Sequence, residues 1–504
     1  GKFCARSSNI RRSRSISATL YFCVLTIRVS AVRGFNRHEH LPVSRFVSIF
    51  YGLQSSCRRR DALWVYKITY FTPKHQNIRG SDGYFLAFMS NFAFAAPSMR
   101  HYDMTYDSDK FWNFVNEHMS DDPAKLRLRY HGDAEMSCAI TQIECRQRFG
   151  KKLSQTLQAY PHLVFGNTLC GEQSTSDALA RIHISLLPRD CPVTDLTAGL
   201  GIDAMHAASA GHPVTACERD QALANALRDN AAGRDLKMLR VLHGDSVEML
   251  RDGILHGEVA FIDPARRGDG GRRLFGLADC APDVISMLGD FRRHFKMLVI
   301  KASPMIDIRG GMVEPLECVT DIYTIGTTTQ CKELVAVCDL TKPKVAAGTQ
   351  RIHALTLLAD GEIADFTFTM SEESGPQPPL RTPEAGEIIY EPYPSVMKSG
   401  GYRTLAHRYK TSKIAADTHL YVHTDIIPNF PGQAWKVLEV LPWQSKVLKR
   451  FKSRYPKISV AVRNFDIAAA ALQSRLGVKE GDGHLKLMAA TGADRSKVLL
   501  ILER

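Results

Sequence analysis

Short runs of apolar, β-branched residues recur from residue 193 onward and alternate with stretches of helical periodicity. Five of these runs, separated by roughly 20–40 residues, predict parallel strands joined by right-handed crossovers; they are Val193–Leu196, Val214–Cys217, Leu239–Leu242, Val259–Ile262 and Met297–Ile300. Two further runs with a short connection, Asp321–Ile325 and Leu334–Leu340, predict a terminal antiparallel hairpin. The pattern indicates an α/β, Rossmann-like domain over residues 191–345, with a mostly parallel sheet.

The segment before this sheet, residues 99–190, has helical periodicity instead. Residues 139–153 place apolar side chains near one helix face and cations toward the end, where the helix dipole favours them; the apolar positions are Ile140, Ile143, Phe149 and Leu153. Ser174-Thr-Ser-Asp177 predicts the cap of another helix. We therefore expect an N-terminal helical domain before the sheet.

Residues 346–504 change character twice. An Asp360-Gly361 turn between Ile352–Leu358 and Ala364–Thr369 predicts a β-hairpin. The stretch from Ser374 to Pro394 holds six prolines and predicts a linker or rigid loop. From residue 431 strand-like and helical runs alternate again, which predicts a small, separate α/β domain over residues 431–504.

The formal charge of +13 is concentrated at one end of the chain. Residues 1–98 carry 15 Lys and Arg against three acids, a net +12, and show no sustained periodicity. We interpret them as a non-native or disordered basic extension, with translation beginning at Met99 or Met104. A disordered tail that binds RNA is the alternative. The remaining residues carry a net charge of only +1.

The spacing of the cysteines and the lengths of the apolar runs indicate the cellular environment of the protein. The 12 cysteines include no C-x-x-C pair and no zinc-like Cys/His cluster, so we expect reduced thiols in a cytoplasmic protein and no metal site. No apolar run reaches the roughly 18–20 residues of a membrane span, so no membrane partner is expected. The oligomeric state does not follow from the sequence.

A glycine-containing loop, Asp195-Leu-Thr-Ala-Gly-Leu-Gly-Ile-Asp203, follows the first predicted strand. A ligand binds at this position in doubly wound sheets. Gly199-x-Gly201-x-x-Ala204 also satisfies the dinucleotide pattern G-x-G-x-x-A, so the loop alone does not choose between S-adenosylmethionine and a nicotinamide dinucleotide.

Acidic residues after three successive strands favour S-adenosylmethionine. Asp195 can neutralise the amino-acid ammonium, Glu218 can accept both ribose hydroxyls, and Asp245 can take the adenine amino group. Each acid by itself could equally cap a helix or lie solvated in a loop. Together they outline an adenosyl amino acid, and the candidate cofactor-binding residues are Asp195, Thr197, Ala198, Gly199, Gly201, Asp203, Glu218, Asp245, Ser246 and Asp263.

The fourth strand ends in Asp263-Pro264, which looks like the first half of the [Asn/Asp]-Pro-Pro-aromatic motif of methyltransferases that modify nitrogens. We expect Asp263 and Pro264 to be catalytic, because Asp263 can hydrogen-bond an acceptor amine and Pro264 stiffens the turn. Ala265-Arg266 replaces the usual Pro-aromatic pair, so a flipped base would stack elsewhere or on Arg266. The alternative is that Asp263 caps the next helix and pairs with Arg266.

Basic residues surround this acceptor position. Arg266, Arg267, Arg272 and Arg273 flank Gly268–Gly271 in a predicted flexible loop suited to phosphate contacts, although a solvated charge run is the alternative. Lys301-Ala-Ser-Pro-Met305 follows the fifth strand. The candidate substrate-binding residues are Arg266, Arg267, Lys301 and Ser303. Neither the Asp263 loop nor the Ser303 loop holds a cysteine, which disfavours cysteine-dependent methylation of cytosine carbon.

Several segments together resemble a bacterial family of class I S-adenosylmethionine-dependent methyltransferases with a C-terminal THUMP-like domain. They are Ala139-Ile-Thr-Gln-Ile-Glu-Cys-Arg, Glu172-Gln-Ser-Thr-Ser-Asp, Asp195-Leu-Thr-Ala-Gly-Leu-Gly-Ile-Asp, Ile262-Asp-Pro-Ala-Arg-Arg, Lys301-Ala-Ser-Pro-Met and Val462-Arg-Asn-Phe. The resemblance covers residues 99–504. It implies a ferredoxin-like module around Ile388–Asp425 and a THUMP-like domain near Ala434–Arg504.

THUMP domains generally deliver RNA to an attached modifying enzyme, so the resemblance implies RNA, tRNA or rRNA, as substrate. The leading hypothesis is accordingly an S-adenosylmethionine-dependent enzyme that N-methylates an RNA base. The alternatives are a small-molecule methyltransferase, an NAD-dependent dehydrogenase and a catalytically silent RNA-binding protein. The near-neutral charge of residues 99–504 is unusual for an RNA binder, and a local basic patch would be needed.

Overall fold

The computed structural model describes residues 109–266 and 276–504; for Arg266 it describes the backbone alone. Expectations about residues 1–98, the start at Met99 or Met104, and Arg267, Arg272 and Arg273 lie outside this range. Everything below concerns the described residues, which belong to one compact unit of the chain.

Six helices precede the sheet, as the periodicity predicted. They are α1 (Asp109–Glu117), α2 (Pro123–Arg129), α3 (Ala134–Phe149), α4 (Ser154–Ala159), α5 (Thr168–Gln173) and α6 (Asp177–Ser185). Side-chain caps set their starts: Asp133 accepts from the Met136 N–H, and Ser176 accepts from the Leu179 N–H. Because Asp133 provides this cap, α3 begins five residues before the predicted Ala139, and it ends at Phe149 instead of Leu153.

The central sheet has nine strands in the order β11-β10-β8-β9-β7-β4-β1-β2-β3. The five parallel strands expected from the sequence are confirmed as β1 (Val193–Asp195), β2 (Val214–Glu218), β3 (Leu239–His243), β4 (Val259–Ile262) and β7 (Met297–Ala302). The chain runs from β1 to β2 and β3 on one side and to β4 and β7 on the other. This reversal beside β1 is the switch point where ligands bind in such sheets.

The terminal hairpin is also confirmed. Strands β8 (Val319–Thr327) and β9 (Cys331–Asp339) pair antiparallel, and β9 inserts between β7 and β8. The next hairpin, β10 (Arg351–Leu357) and β11 (Ile363–Thr369), joins the same sheet, because β10 pairs parallel with β8. The sheet therefore extends well beyond the predicted boundary near residue 345.

Helices cover both faces of this sheet. They are α7 (Ile202–Ser209), α8 (Gln221–Gly233), α9 (Ser246–Arg251), α10 (Leu288–His294) and α11 (Glu314–Leu316), the last preceded by a π-helical turn over Arg309–Val313. The buried strand side chains pack into two large apolar clusters, one of which includes Ile262, Ile300 and Phe291 and the other Val193, Phe261 and Leu227. A buried parallel sheet of this kind explains why its strands have continuous apolar runs.

The C-terminal region forms a second sheet of seven strands in the order β13-β14-β12-β15-β18-β17-β16. They are β12 (Ile388–Pro392), β13 (Ser412–Ala415), β14 (Thr418–His423), β15 (Gly432–Pro442), β16 (Ser459–Arg463), β17 (Leu485–Thr491) and β18 (Lys497–Glu503), with helices α12 (Pro394–Ser399), α13 (Tyr402–Arg408), α14 (Ser445–Arg454) and α15 (Ala469–Leu476). Strand β15 pairs with both β12 and β18, so one sheet runs through the whole region.

Helix α12 attaches this second sheet to the first. The Thr324 hydroxyl donates to the Ser395 carbonyl at 2.8 Å, and the Thr356 and Ser395 hydroxyls lie 2.5 Å apart. Tyr390 and Leu405 are buried in the same apolar cluster as strands β8 and β10. These buried contacts hold the C-terminal region against the outer part of the main sheet.

Candidate active site

An open cavity of about 1510 Å³ lies at the carboxyl ends of the parallel strands. It brings together most of the predicted site residues from the carboxyl ends of β1, β2, β3, β4 and β7 and from the segments that follow them. Those that line it are Asp195, Thr197, Ala198, Gly199, Gly201, Asp203, Glu218, Asp245, Ser246, Asp263, Pro264, Lys301 and Ser303. Arg266 follows directly in β5 (Ala265–Arg266), which pairs with β6 (Cys280–Ala281), while Arg267 is outside the described residues.

The loop after β1 is tied to the loop after β4. Asp195 is the buried last residue of β1, and its Oδ1 accepts from the Thr197 N–H at 3.0 Å. The Thr197 hydroxyl in turn accepts from the Asp263 N–H at 2.8 Å. Burial raises the pKa of Asp195 to about 7, although the hydrogen bond from Thr197 opposes this. Because this pKa is near neutral pH, a cationic ligand could pair with the carboxylate and stabilise its ionised form.

Glycine is required at two positions of this loop for different physical reasons. Both lie in the left-handed region, Gly199 at φ 55° and Gly201 at φ 80°. A Cβ on Gly201 would lie 2.2 Å from Leu227 Cδ1, so Gly201 allows the loop to pack on α8. A Cβ on Gly199 would meet no atom within 4 Å and would project into open space. Gly199 thus leaves room for a ligand beside the loop.

Glu218 and Asp245 hold the neighbouring loops. Glu218 Oε2 accepts from the Gly199 N–H at 2.8 Å, and its Oε1 accepts from the Asp220 N–H at 2.7 Å. Asp245 is the N-cap of α9 and accepts from the Val247 N–H at 2.8 Å. Asp245 is therefore a helix cap and a cavity-lining acid at once, so the two sequence interpretations of this residue are compatible.

Asp263 does not cap a helix, contrary to the alternative interpretation. Its Oδ2 lies 2.6 Å from Lys301 Nζ, and the chain continues as β5. The Asp263 side chain is 40% exposed toward the cavity, whereas that of Lys301 is only 12% exposed. Burial raises the pKa of Asp263 and the Lys301 ammonium opposes it; the same ion pair keeps Lys301 protonated. An anchored carboxyl group therefore faces the cavity.

Sequence reasoning missed three residues beneath this ion pair. Lys301 Nζ donates to Thr175 Oγ1 at 2.9 Å, and the Thr175 hydroxyl donates to Asp203 Oδ2 at 2.5 Å. His183 lies between Asp203 and Glu333. The available signal was the Glu172–Asp177 segment, which contains Thr175. We interpreted Ser174–Asp177 as a helix cap and Glu172–Asp177 as part of the family resemblance. Nothing in the local pattern indicated His183 or Glu333, because their partners lie far away in sequence.

The cavity also contacts three cysteines, Cys170, Cys217 and Cys280. The absence of cysteine from the Asp263 and Ser303 loops therefore does not mean that no thiol reaches this cavity. Burial raises the pKa of Cys170 and raises that of Cys217 to about 12, so both are protonated thiols at neutral pH. A thiol is a poor nucleophile compared with a thiolate.

The second sheet carries a basic helix on its surface. Helix α14, Ser-Lys-Val-Leu-Lys-Arg-Phe-Lys-Ser-Arg, has no acidic residue. Lys446, Lys449 and Arg450 follow the i, i+3, i+4 spacing that places side chains on one helix face, and all three are exposed. Among the described residues none of the three has an ion-pair partner. We call this surface the α14 patch. It is a local basic feature that the near-neutral net charge of residues 99–504 does not reveal.

Two negative findings apply to the described residues. Within residues 109–266 and 276–504, no group of three or more His, Cys, Asp and Glu side chains is placed to hold a metal ion. No helix in the same ranges has the length and apolar character needed to cross a bilayer.

Comparison with known domain families identifies the C-terminal region. A ferredoxin-like domain model matches residues 389–431, and a THUMP domain-like model matches residues 432–504. The junction between the two models falls at the start of β15, the strand shared by both halves of the second sheet. A search of curated proteins finds no significant match to the chain.

Among solved structures, a candidate methyltransferase from Porphyromonas gingivalis W83 is 28% identical with a TM-score of 0.70, over 78% of this chain and 97% of that one. A candidate RNA methyltransferase from Pyrococcus horikoshii is 17% identical with a TM-score of 0.25, over 34% of this chain and 83% of that one. An S-adenosylmethionine-dependent methyltransferase from Neisseria gonorrhoeae is 21% identical with a TM-score of 0.25, over 37% of this chain and 72% of that one. The fold, the family models and the P. gingivalis structure together confirm the resemblance: the chain has a Rossmann-like methyltransferase fold and ends in ferredoxin-like and THUMP-like domains.

Proposed function

We propose that this protein is an S-adenosylmethionine-dependent methyltransferase that methylates a nitrogen of an RNA base. The observation that carries the proposal is the arrangement of one cavity. Acids from the ends of β1, β2 and β3 line it beside the anchored Asp263–Lys301 pair. Donor cofactor and acceptor would thus meet in a single space at the switch point of the sheet.

The residues present fit the cofactor. Asp195 would meet the ammonium, Glu218 the ribose hydroxyls and Asp245 the adenine amino group. Each of Glu218 and Asp245 already accepts backbone N–H groups, and a carboxylate has about four lone-pair sites, so acceptor capacity remains. The open space above Gly199 provides the room that a close-lying ligand needs.

Asp195 favours this cofactor over a nicotinamide dinucleotide. Its carboxyl group is buried and lies among other acids, with Asp203 and Asp263 raising its pKa further. A buried carboxylate is costly unless a cation pairs with it. The amino-acid end of S-adenosylmethionine supplies that cation, whereas a dinucleotide has no ammonium to place there.

Asp263 is the residue suited to the acceptor. The cofactor supplies an electrophilic methyl group on a sulfonium, so the protein must mainly align the acceptor nitrogen and accept hydrogen bonds from its N–H. Lys301 occupies Oδ2 of Asp263, and among the described residues Oδ1 has no hydrogen-bond partner. Oδ1 could therefore accept from an acceptor amine, while Pro264 restricts the turn that presents it.

RNA as substrate is supported by the C-terminal region. The THUMP-like match covers residues 432–504 and includes all of the α14 patch. Closely spaced exposed cations without internal partners suit a phosphate backbone. A small acceptor would not require this surface.

Transfer of tritium from labelled S-adenosylmethionine to total RNA tests the proposal directly. We expect counts in the RNA fraction, and nucleoside mass spectrometry should place the methyl group on a base nitrogen. Counts only in a small-molecule fraction would replace RNA with a small acceptor. No transfer at all, with clear binding of NAD by calorimetry, would overturn the methyltransferase assignment.

The double substitution Lys446→Glu/Arg450→Glu should weaken RNA binding. It should also reduce the slope of log Kobs against log salt concentration by about one to two. The matched control is Lys125→Glu/Arg129→Glu, which reverses two exposed cations at the same i, i+4 spacing on α2. Filter binding of RNA across a salt series measures both variants. Equal effects of the two variants would show that the α14 patch has no special role.

Binding of S-adenosylmethionine should depend on pH through Asp195. Below its pKa of about 7 the carboxyl group is neutral and cannot pair with the ammonium. We therefore expect affinity to rise by up to about tenfold per unit as pH increases from about 5.5 to 7. Calorimetry in buffers of different ionisation enthalpy should detect proton release on binding in this range.

Asp195→Asn is expected to weaken binding and to remove this pH dependence. Asp245→Asn, on the adenine side, is the control and should weaken binding while keeping the pH dependence. If Asp195→Asn retains the wild-type pH profile, another group controls it and Asp195 does not meet the ammonium.

A further inference from the structure

A buried chain of hydrogen bonds runs beneath the candidate site. His183 on α6 is fully buried; its Nδ1 lies 2.8 Å from Asp203 Oδ1 and its Nε2 lies 2.6 Å from Glu333 Oε1. Asp203 belongs to the first turn of α7, directly after the glycine loop, and Glu333 belongs to β9. One imidazole thus joins the helical region, the cofactor-loop helix and an antiparallel strand.

The chain continues from Asp203 to the acceptor side of the cavity. Thr175 donates its hydroxyl hydrogen to Asp203 Oδ2 and accepts from Lys301 Nζ, which in turn holds Asp263 at 2.6 Å. A hydroxyl has one hydrogen, so its bond to Asp203 leaves its oxygen to accept from the ammonium. The direction of every link from Lys301 to Asp203 is therefore determined.

The charges in this chain compensate one another. Burial lowers the pKa of His183, but the carboxylates of Glu333 and Asp203 outweigh burial and raise this pKa to about 10. The same imidazolium holds the pKa of Asp203 well below its ordinary value against the effect of burial. His183 is thus a cation at neutral pH and donates from both ring nitrogens. Removal of one member of such a buried set would leave an uncompensated charge.

We infer that His183 and Thr175 are positioning residues that hold Lys301 against Asp263 and the first turn of α7 against β9. The inference rests on the proposed function. It adds a physical connection between the cofactor loop and the acceptor carboxylate. Asp203 orients α7 at one end, and through Thr175 it orients the lysine that pairs with Asp263. Neither His183 nor Thr175 acts on the reacting atoms.

Thr175→Val tests the connection because it removes the hydroxyl with little change in shape. Lys301 then loses an anchor and is held less firmly beside Asp263, so its ammonium opposes the effect of burial less and the pKa of Asp263 rises further. The acid limb of kcat for methyl transfer to total RNA, measured with saturating S-adenosylmethionine so that Asp195 is paired, should move upward by up to about one pH unit. Activity on the acid side of this limb should fall by up to about tenfold, and activity on its alkaline side much less.

Thr175→Ser restores the hydroxyl and should restore the wild-type acid limb. Ser176→Ala is the matched control, because Ser176 follows Thr175 directly, caps α6 and is not part of the hydrogen-bonded chain. It should lower stability without moving the limb. An unchanged limb in Thr175→Val, or the same shift in Ser176→Ala, would overturn the inference while wild-type activity still supports the proposed function.

A stability measurement covers the case in which wild-type protein transfers no methyl group. A histidine whose folded-state pKa is raised stabilises the fold fully below its unfolded pKa of about 6.5, and this contribution is lost as pH rises through about 10. The unfolding midpoint of His183→Gln should therefore lie below that of wild type at about pH 6.5, with the gap narrowing toward pH 10. A gap independent of pH would contradict the buried imidazolium on which the inference depends.

Discussion

Asp263→Asn is expected to lower methyl transfer by about 10²–10⁴-fold, the usual contribution of a positioned acid or base. Asparagine keeps the size of the side chain but removes the charge that Lys301 anchors at 2.6 Å. An amide can still accept a hydrogen bond from an acceptor N–H, but it cannot stabilise the positive charge that develops on the nitrogen. The loss should therefore appear mainly in kcat.

The cofactor side should be almost unaffected by Asp263→Asn, and calorimetry should show an S-adenosylmethionine affinity within about tenfold of wild type. Asp283→Asn is a suitable control, since Asp283 accepts the N–H groups of Ile285 and Ser286 and does not line the cavity. Wild-type transfer by Asp263→Asn would remove Asp263 from the mechanism. Loss of cofactor binding would instead make it a cofactor residue.

Gly201→Ala is expected to lower the free energy of unfolding by about 2–4 kcal/mol. The new Cβ would lie 2.2 Å from Leu227 Cδ1, and Leu227 is fully buried. Overpacking of a dense core costs about 1–3 kcal/mol, and the left-handed backbone at φ 80° adds roughly 1 kcal/mol for a residue with a Cβ. Urea denaturation of the cofactor-free protein measures this loss.

Gly199→Ala separates packing from binding, because no atom lies within 4 Å of its new Cβ. It should cost only about 1 kcal/mol for its backbone conformation, yet weaken cofactor affinity by tenfold or more, since the methyl enters the cavity. Gly132→Ala controls for the backbone: it has φ 86°, equally open space and a position away from the cavity. Similar cofactor affinities for the Gly199 and Gly132 variants would place the ligand elsewhere.

Local patterns predicted much of the architecture correctly. Apolar runs at Val214–Cys217 and Val259–Ile262 coincide with strands because a parallel sheet covered on both faces needs continuous apolar side chains. The acids after successive strands meet in one cavity, because the carboxyl ends of parallel strands lie at the same edge. The start of α3 was missed by five residues, since the capping role of Asp133 is weaker in the sequence than the apolar periodicity that follows.

The sequence by itself determined the parallel sheet, the loop from Asp195 to Asp203 and the acids around it, because these features depend on periodicity and on order along the chain. Only the tertiary structure decided that Lys301 engages Asp263 and Thr175, that His183 bridges Asp203 and Glu333, and that β10 extends the same sheet. His183 and Glu333 are 150 positions apart. Contacts between such distant residues follow from packing, which no local pattern encodes.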